Sequence, residues 1–188
     1  MQEELHQFLI EVNEIHGLFL DATSAFGNWY HQLLANQKHF QQQSGKVEKE
    51  FDDMKYIYGK EQKDGRIKPL GHSTTLGKLK ERNKTEGNNH KQMARFSIVL
   101  IFSYWEYFRN KLVKRTKKTV ASDLMADIMY LRRAIIHNRG IGDDDMKKCK
   151  VITRYKEGDN IEIDEDYFEE IIDSVKEEVK NIDKKYFT

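Results

Sequence analysis

The window that gathers the most reactive side chains runs Leu131-Arg132-Arg133-Ala134-Ile135-Ile136-His137-Asn138-Arg139-Gly140. A histidine among three arginines joins a group that exchanges protons near neutral pH to cations that hold phosphate oxygens. RNA carries a 2′-OH beside its scissile phosphate. A histidine can remove that proton while an arginine neutralises charge growing on the phosphate, which leaves a 2′,3′-cyclic phosphate and a 5′-OH. No cluster of carboxylates with metal-ligand spacing accompanies the window, so a two-metal nuclease is the less favoured chemistry and no cofactor is expected. The competing reading is a structural histidine at a helix end.

Helix geometry constrains which groups can cooperate. At about 100° per residue, Arg133 and His137 share a face and Arg132 does not. Arg132 meets His137 only if the helix end unwinds or the side chain reaches across, so either arginine can serve the phosphate. The C-terminal end of a helix favours a cation, which suits His137 as an acid. Asn138, Arg139 and Gly140 then turn the chain and collect polar groups at an exposed corner. In-line cleavage wants a base and an acid, and one histidine per chain is one short. Two chains about a two-fold axis would supply both, so a homodimer is expected.

The elements that must position this corner are helical. Ala94, Ile98, Ile101, Trp105, Phe108 and Leu112 are spaced 4, 3, 4, 3 and 4, which predicts a central helix from His90 to about Lys117. Ala121, Leu124, Ile128, Leu131 and Ile135 predict the helix that carries the window, capped by Ser122 or Asp123. Glu4 to about Gln43 is a long amphipathic segment with Leu5, Leu9, Val12, His16 and Phe19, and Gly27 marks a kink or break. Val47 to Tyr58 continues as helix. Residues 59–89, with five glycines and Pro69, read as an irregular insertion or mobile loop, with short pieces of helix near Leu76 to Arg82. Lys150 to Tyr155 and Asn160 to Ile163 flank Glu157-Gly158-Asp159 and predict a small β-hairpin near the C-terminus. Asp164 caps a last helix that buries Phe168, Ile171, Ile172, Val175, Val179 and Ile182. The expectation is an all-α bundle of four to five main helices plus that hairpin, in a single domain spanning 1–188.

Composition removes several classes. Lys plus Arg is 32 and Asp plus Glu is 31, a net charge of +1, which argues against gripping nucleic acid by bulk charge. The single cysteine, Cys149, excludes an internal disulfide and a multi-cysteine zinc site. The longest apolar run, Phe96 to Trp105, is far short of a membrane span. Met1-Gln2-Glu3-Glu4 is no basic region before an apolar core, so a cytoplasmic protein without membrane association is expected. Elsewhere, His6, His16, His31 and His39 lack mutual i, i+4 spacing and read as surface or partly packed groups. Arg109, Lys111, Lys114, Arg115, Lys117 and Lys118 read as a solvated helix end or as a phosphate-contact strip. Asp143-Asp144-Asp145 reads as a helix cap, and Gly140-Ile141-Gly142 lacks the residues of a phosphate loop.

The window resembles the HEPN family (higher eukaryotes and prokaryotes nucleotide-binding). That family's motif is an Arg, four to six residues, then a His, at the end of a helix in an all-α bundle. Arg132, four residues and His137 match it, within text similar to the family's Leu-Arg-Asn-Ala-Ile-Val-His-Asn. The position after the motif arginine, often Asn, Asp or His in the family, is Arg133 here. Trp105-Glu106-Tyr107-Phe108 resembles the family's second main helix, in which a Glu often stands beside aromatics. The resemblance covers roughly residue 90 to the C-terminus. It implies a metal-independent endoribonuclease, with RNA as substrate, Arg132 and His137 as catalytic residues, and Arg133, Asn138, Arg139 and Glu106 in support. It further implies a homodimer with facing motifs and a role as a toxin or phage-defence effector with an antitoxin or defence partner. Other members keep the fold and only bind nucleotide, RNA or protein, and that is the alternative.

Overall fold

The computed structural model describes residues 1–187, 68% of them helical. The order is α1 (Glu3–Ser44), α2 (Glu48–Asp52), β1 (Lys55–Glu61), β2 (Ile67–Thr75), α3 (Leu76–Asn83), α4 (Asn88–Thr116), α5 (Asp123–His137), a 3-10 turn (Asp144–Lys148) and α6 (Glu165–Phe187). The chain forms two compact units. The first comprises residues 1–22 and 91–188, and the second residues 23–90. No helix among the described residues is long and apolar enough to cross a membrane.

The first unit has one contiguous apolar core. The start of α1 contributes Leu5, Phe8, Val12, Ile15 and Phe19, a stripe of spacing 3, 4, 3, 4. From α4 come Ala94, Ile98, Ile101, Phe102, Trp105 and Leu112, and from α5 Leu124, Ile128 and Leu131. All six residues expected from α6 are buried there. The caps agree with the sequence. Ser122 Oγ accepts from the Met125 amide at 3.1 Å, and Asp164 Oδ1 accepts from the Tyr167 amide at 2.8 Å. Asp143 caps the 3-10 turn by accepting from the Asp145 amide at 3.0 Å.

Three expectations need correction. The β-hairpin is not near the C-terminus. It is mid-chain, β1 pairing antiparallel with β2. At Lys150–Ile152 the amides that a strand would offer its partner instead donate to the carboxylate of Asp127, which is 1% exposed. That buried anion takes three successive amides and leaves no ladder to build. Asn160 makes only an isolated bridge, to Ile141. The turn at Glu157-Gly158-Asp159 does form, closed by the Asp159 amide on the Lys156 carbonyl.

The second correction concerns residues 53–75. The helix expected to reach Tyr58 stops at Asp52, and β1 and β2 take up much of the segment read as irregular, while α3 agrees with the short helix expected near Leu76 to Arg82. Tyr56, Ile57 and Tyr58 are β-formers, and Asp64-Gly65 supplies the turn, Gly65 at φ +77°. Pro69 is tolerated because each strand of a two-stranded sheet has an open edge. The third concerns Gly27, which breaks nothing: α1 is continuous for 42 residues.

Candidate functional site

α5 remains helical through His137, so its end does not unwind. The chain reverses immediately beyond. The Asn138 and Gly140 amides both donate to the Ala134 carbonyl, and Asn138 Nδ2 donates to the Ile141 carbonyl at 2.7 Å. Arg139 and Gly140 both take positive φ, +54° and +80°. For arginine that conformation costs on the order of 1 kcal/mol, and such strain gathers at functional corners.

The two candidate arginines differ in what they touch. Arg133 is exposed and ion-pairs with Asp145 at 3.2 Å, which ties α5 to the 3-10 turn. Asp145 also receives Lys148, and the two cations, Lys148 first, hold its carboxyl below the usual range. Arg132 is half-buried and rests on the ring of Phe102 in α4, guanidinium carbon 5.6 Å from the centroid. Its Nε is buried with no hydrogen-bond partner. His137 is exposed and carries neither hydrogen bond nor ion pair among the described residues. Five positions place Arg132 and His137 about 140° apart around an intact helix, so they do not share a face.

Glu106 is exposed and also makes no hydrogen bond or ion pair among the described residues. It stands one turn beyond Phe102 on α4. Phe102, Glu106, Arg109, Ser122, Met125 and Met129 help line a cavity of about 360 Å³. The aromatic shelf under Arg132 is thus also a wall of that cavity.

One residue without a motif braces the corner. Arg95 of α4 donates from Nε to the Ile161 carbonyl at 2.8 Å and from Nη2 to Asn160 Oδ1 at 2.9 Å. Its guanidinium carbon lies 3.0 Å from where a side chain at Gly140 would begin. Gly140 is therefore required twice, by its φ and by this close approach. The Ile161 amide donates to the Gly140 carbonyl at 2.7 Å and completes the clamp. Nothing in the spacing of Arg95 announces this, because its partners are 65 and 66 residues away.

The remaining candidates have structural roles. Arg115 grips Glu4 and Gln2, Arg109 donates to the Val120 carbonyl at 3.0 Å, and Lys118 Nζ donates to the Tyr186 carbonyl at 2.5 Å. Half of the basic run is thereby spent on holding chain ends and loops. His16 pairs with Glu169 at 2.7 Å. Burial pushes the Cys149 thiol up to about 11, where thiolate chemistry at neutral pH is suppressed. No three His, Cys, Asp or Glu side chains converge as a metal-ligand group among the described residues. No family model matches this chain, and neither the curated proteins nor the solved structures compared with it give a match.

Proposed function

We propose that the protein is a metal-independent endoribonuclease of the HEPN type, with Arg132 and His137 as its catalytic residues. The observation that carries the reading is the unspent state of these two groups. His137 is exposed and partnerless at the end of α5, while Arg132 lies on Phe102 with a buried, unpartnered Nε. Arg133 is engaged by Asp145, so Arg132 is the arginine available for a phosphate. His137 exchanges the proton of the 2′-OH or of the leaving oxygen, and Arg132 neutralises the phosphate charge. Asn138, Arg139 and Gly140 hold the histidine at a strained, projecting corner. Glu106 is a carboxylate available to offset clustered arginines.

One chain directs Arg132 and His137 to different sides of α5, so a complete acid–base site is assigned to a two-fold dimer in which each chain presents its corner to its mate. The role as a toxin or phage-defence effector, an antitoxin or defence partner, and cytoplasmic placement rest on the resemblance and the composition. The second reading, a non-catalytic module of the same fold that binds nucleotide, RNA or protein, draws on one observation: the missing shared face of Arg132 and His137.

The deciding experiment is cleavage of total RNA and tRNA in EDTA. His137→Ala is expected to reduce the rate by about 10²–10⁴-fold with the far-UV spectrum unchanged. Arg132→Ala should cost far more activity than Arg133→Ala. Strict dependence on added Mg²⁺, or undiminished cleavage by His137→Ala, would overturn the assignment.

A further inference from the structure

The β1–β2 ribbon has a charge and an aromatic arrangement that the α5 corner does not explain. Lys55–Thr75 holds Lys55, Lys60, Lys63, Arg66 and Lys68 against Glu61 and Asp64, so this short segment exceeds the net charge of the whole chain, +1. Arg66 is ion-paired, to Asp64 at 2.5 Å. Lys55, Lys60, Lys63 and Lys68 make no ion pair among the described residues. Lys60 stands directly opposite Lys68 in the ladder. Like charges facing across a strand pair oppose its formation, and no carboxylate among the described residues ion-pairs with either lysine.

Beside this lysine pair is an aromatic cluster. The rings of Tyr58 and His72 are 5.2 Å apart and tilted by 36°, and Tyr56 meets Tyr58 edge-on at 5.0 Å. Trp29 of α1 closes on both tyrosines from 6.0 and 6.3 Å. Arg82 of α3 donates to the Tyr58 hydroxyl and lies 5.8 Å from its ring. Tyr58 is thereby fixed, and His72 is the exposed outer ring of the stack. A rigid ring platform next to unpaired lysines is what a single nucleic-acid strand requires, because unpaired bases stack while phosphates seek cations.

We propose that this ribbon is a docking site for single-stranded RNA, bases stacking at His72 and Tyr58 and phosphates lying on Lys60, Lys63 and Lys68. The choice of RNA among single-stranded nucleic acids rests on the ribonuclease reading. Binding by the ribbon does not depend on His137. Ile57, Ile67 and Leu70 are also exposed on the ribbon, but they carry no charge to complement, and the positive excess selects a polyanion.

The test is fluorescence anisotropy of a fluorescein-labelled 12-nucleotide oligouridine with the full chain carrying His137→Ala, so that the probe stays intact. Adding Lys60→Gln with Lys68→Gln is expected to weaken binding about tenfold or more. It should also flatten the slope of log affinity against log salt by about 1.4, two phosphate contacts at roughly 0.7 each. These substitutions remove a repulsion, so the ribbon should be no less stable, which denaturant melts will verify. His72→Ala is expected to weaken binding about fivefold or more with the salt slope unchanged, the signature of a lost stacking ring. Lys180→Gln with Lys184→Gln on α6 should change neither. Absence of binding overturns the proposal. So does equal affinity for a duplex of the same length, or an equal loss in the α6 variant. Loss of binding in the ribbon variants without any cleavage by the wild-type chain would leave the proposal standing and remove the ribonuclease reading. Cleavage without that loss would do the reverse.

Discussion

The two units differ in what fills their interiors. The first buries a continuous apolar cluster in which Phe8 packs on Trp105 at 5.5 Å between centroids and Phe19 on Phe168 at 4.2 Å. The second buries Leu33, Phe51 and Leu79 together with Gln37, Lys80, Asn83 and His90. At its centre the Lys80 ammonium donates to Gln37 at 2.6 Å and pairs with Asp52 at 2.7 Å and Glu48 at 3.0 Å. His90 is 7% exposed and neither ring nitrogen has a hydrogen-bond partner among the described residues. An apolar core is non-directional and holds no group whose charge must be kept. A core organised by a buried charge depends on each partner being present and ionised. The first unit is thus suited to hold the strained turn at Arg139 and Gly140, and the second to present a ribbon whose own charges are unbalanced.

The contrast is tested first in the apolar core of the first unit. Trp105→Ala is expected to destabilise the first unit by about 3–5 kcal/mol in denaturant melts followed by circular dichroism. A loss under about 1 kcal/mol would mean that this core is not close-packed. Next is Lys80→Met, which leaves Asp52 and Glu48 without their cation. Both carboxylates retain some exposure, so the expected cost is about 1–2 kcal/mol rather than the larger loss of a fully buried pair. The chain has two tryptophans, Trp29 in the second unit and Trp105 in the first, so Trp29→Phe and Trp105→Phe backgrounds, each compared with and without Lys80→Met, read the units separately. Trp29 should report the Lys80→Met loss while Trp105 moves little. Equal shifts of both probes would show that the units unfold as one.

The smallest effect expected is electrostatic and of opposite pH sense in the two units. Burial pulls the Lys80 pKa down, but Asp52 and Glu48 more than offset it and the net direction is up. Its contribution is complete below about pH 10.4 and fades as pH rises through the raised folded value. In the first unit, the hydrogen bonds from Arg115 lower the Glu4 pKa. Its contribution is present above about pH 4.3 and is lost as pH falls through the lowered folded value. Glu4→Gln should therefore cost no more than about 1 kcal/mol at neutral pH, and its deficit against the wild type should close in acid. A deficit that persists at pH 2 would mean that Glu4 acts by packing rather than by charge.

Most of the first unit is legible in its periodicity. The stripes of α4, α5 and α6 and the caps at Ser122 and Asp164 follow from local rules, because a helix satisfies its own backbone and needs only a buried face. The misreadings fall where a distant group decides. The segment at Lys150–Ile152 has the β-branched look of a strand, yet its amides turn to Asp127, 23 to 25 residues earlier. Gly27 is not a break, because α1 continues through it from Glu3 to Ser44. The glycine-rich stretch carries a ribbon whose local signals are short, the β-formers Tyr56 to Tyr58 and the Asp64-Gly65 turn.

At the candidate site the division is sharper. The order Arg132, Arg133, His137, Asn138, Arg139 and Gly140 at a helix end was readable as a sequence, and so was the geometric conflict between Arg132 and His137. Which arginine is free was not readable. That depends on Asp145 having reached Arg133 and on Phe102 lying under Arg132, contacts made by elements that spacing alone cannot bring together. Arg95 shows the same limit, since its role exists only once Gly140 and Ile161 are brought to it. Helix periodicity is a property of neighbouring residues, and so the chain by itself determines α4, α5 and α6. The state of a side chain, paired or unspent, is a property of what packs against it, and only the tertiary structure decides that.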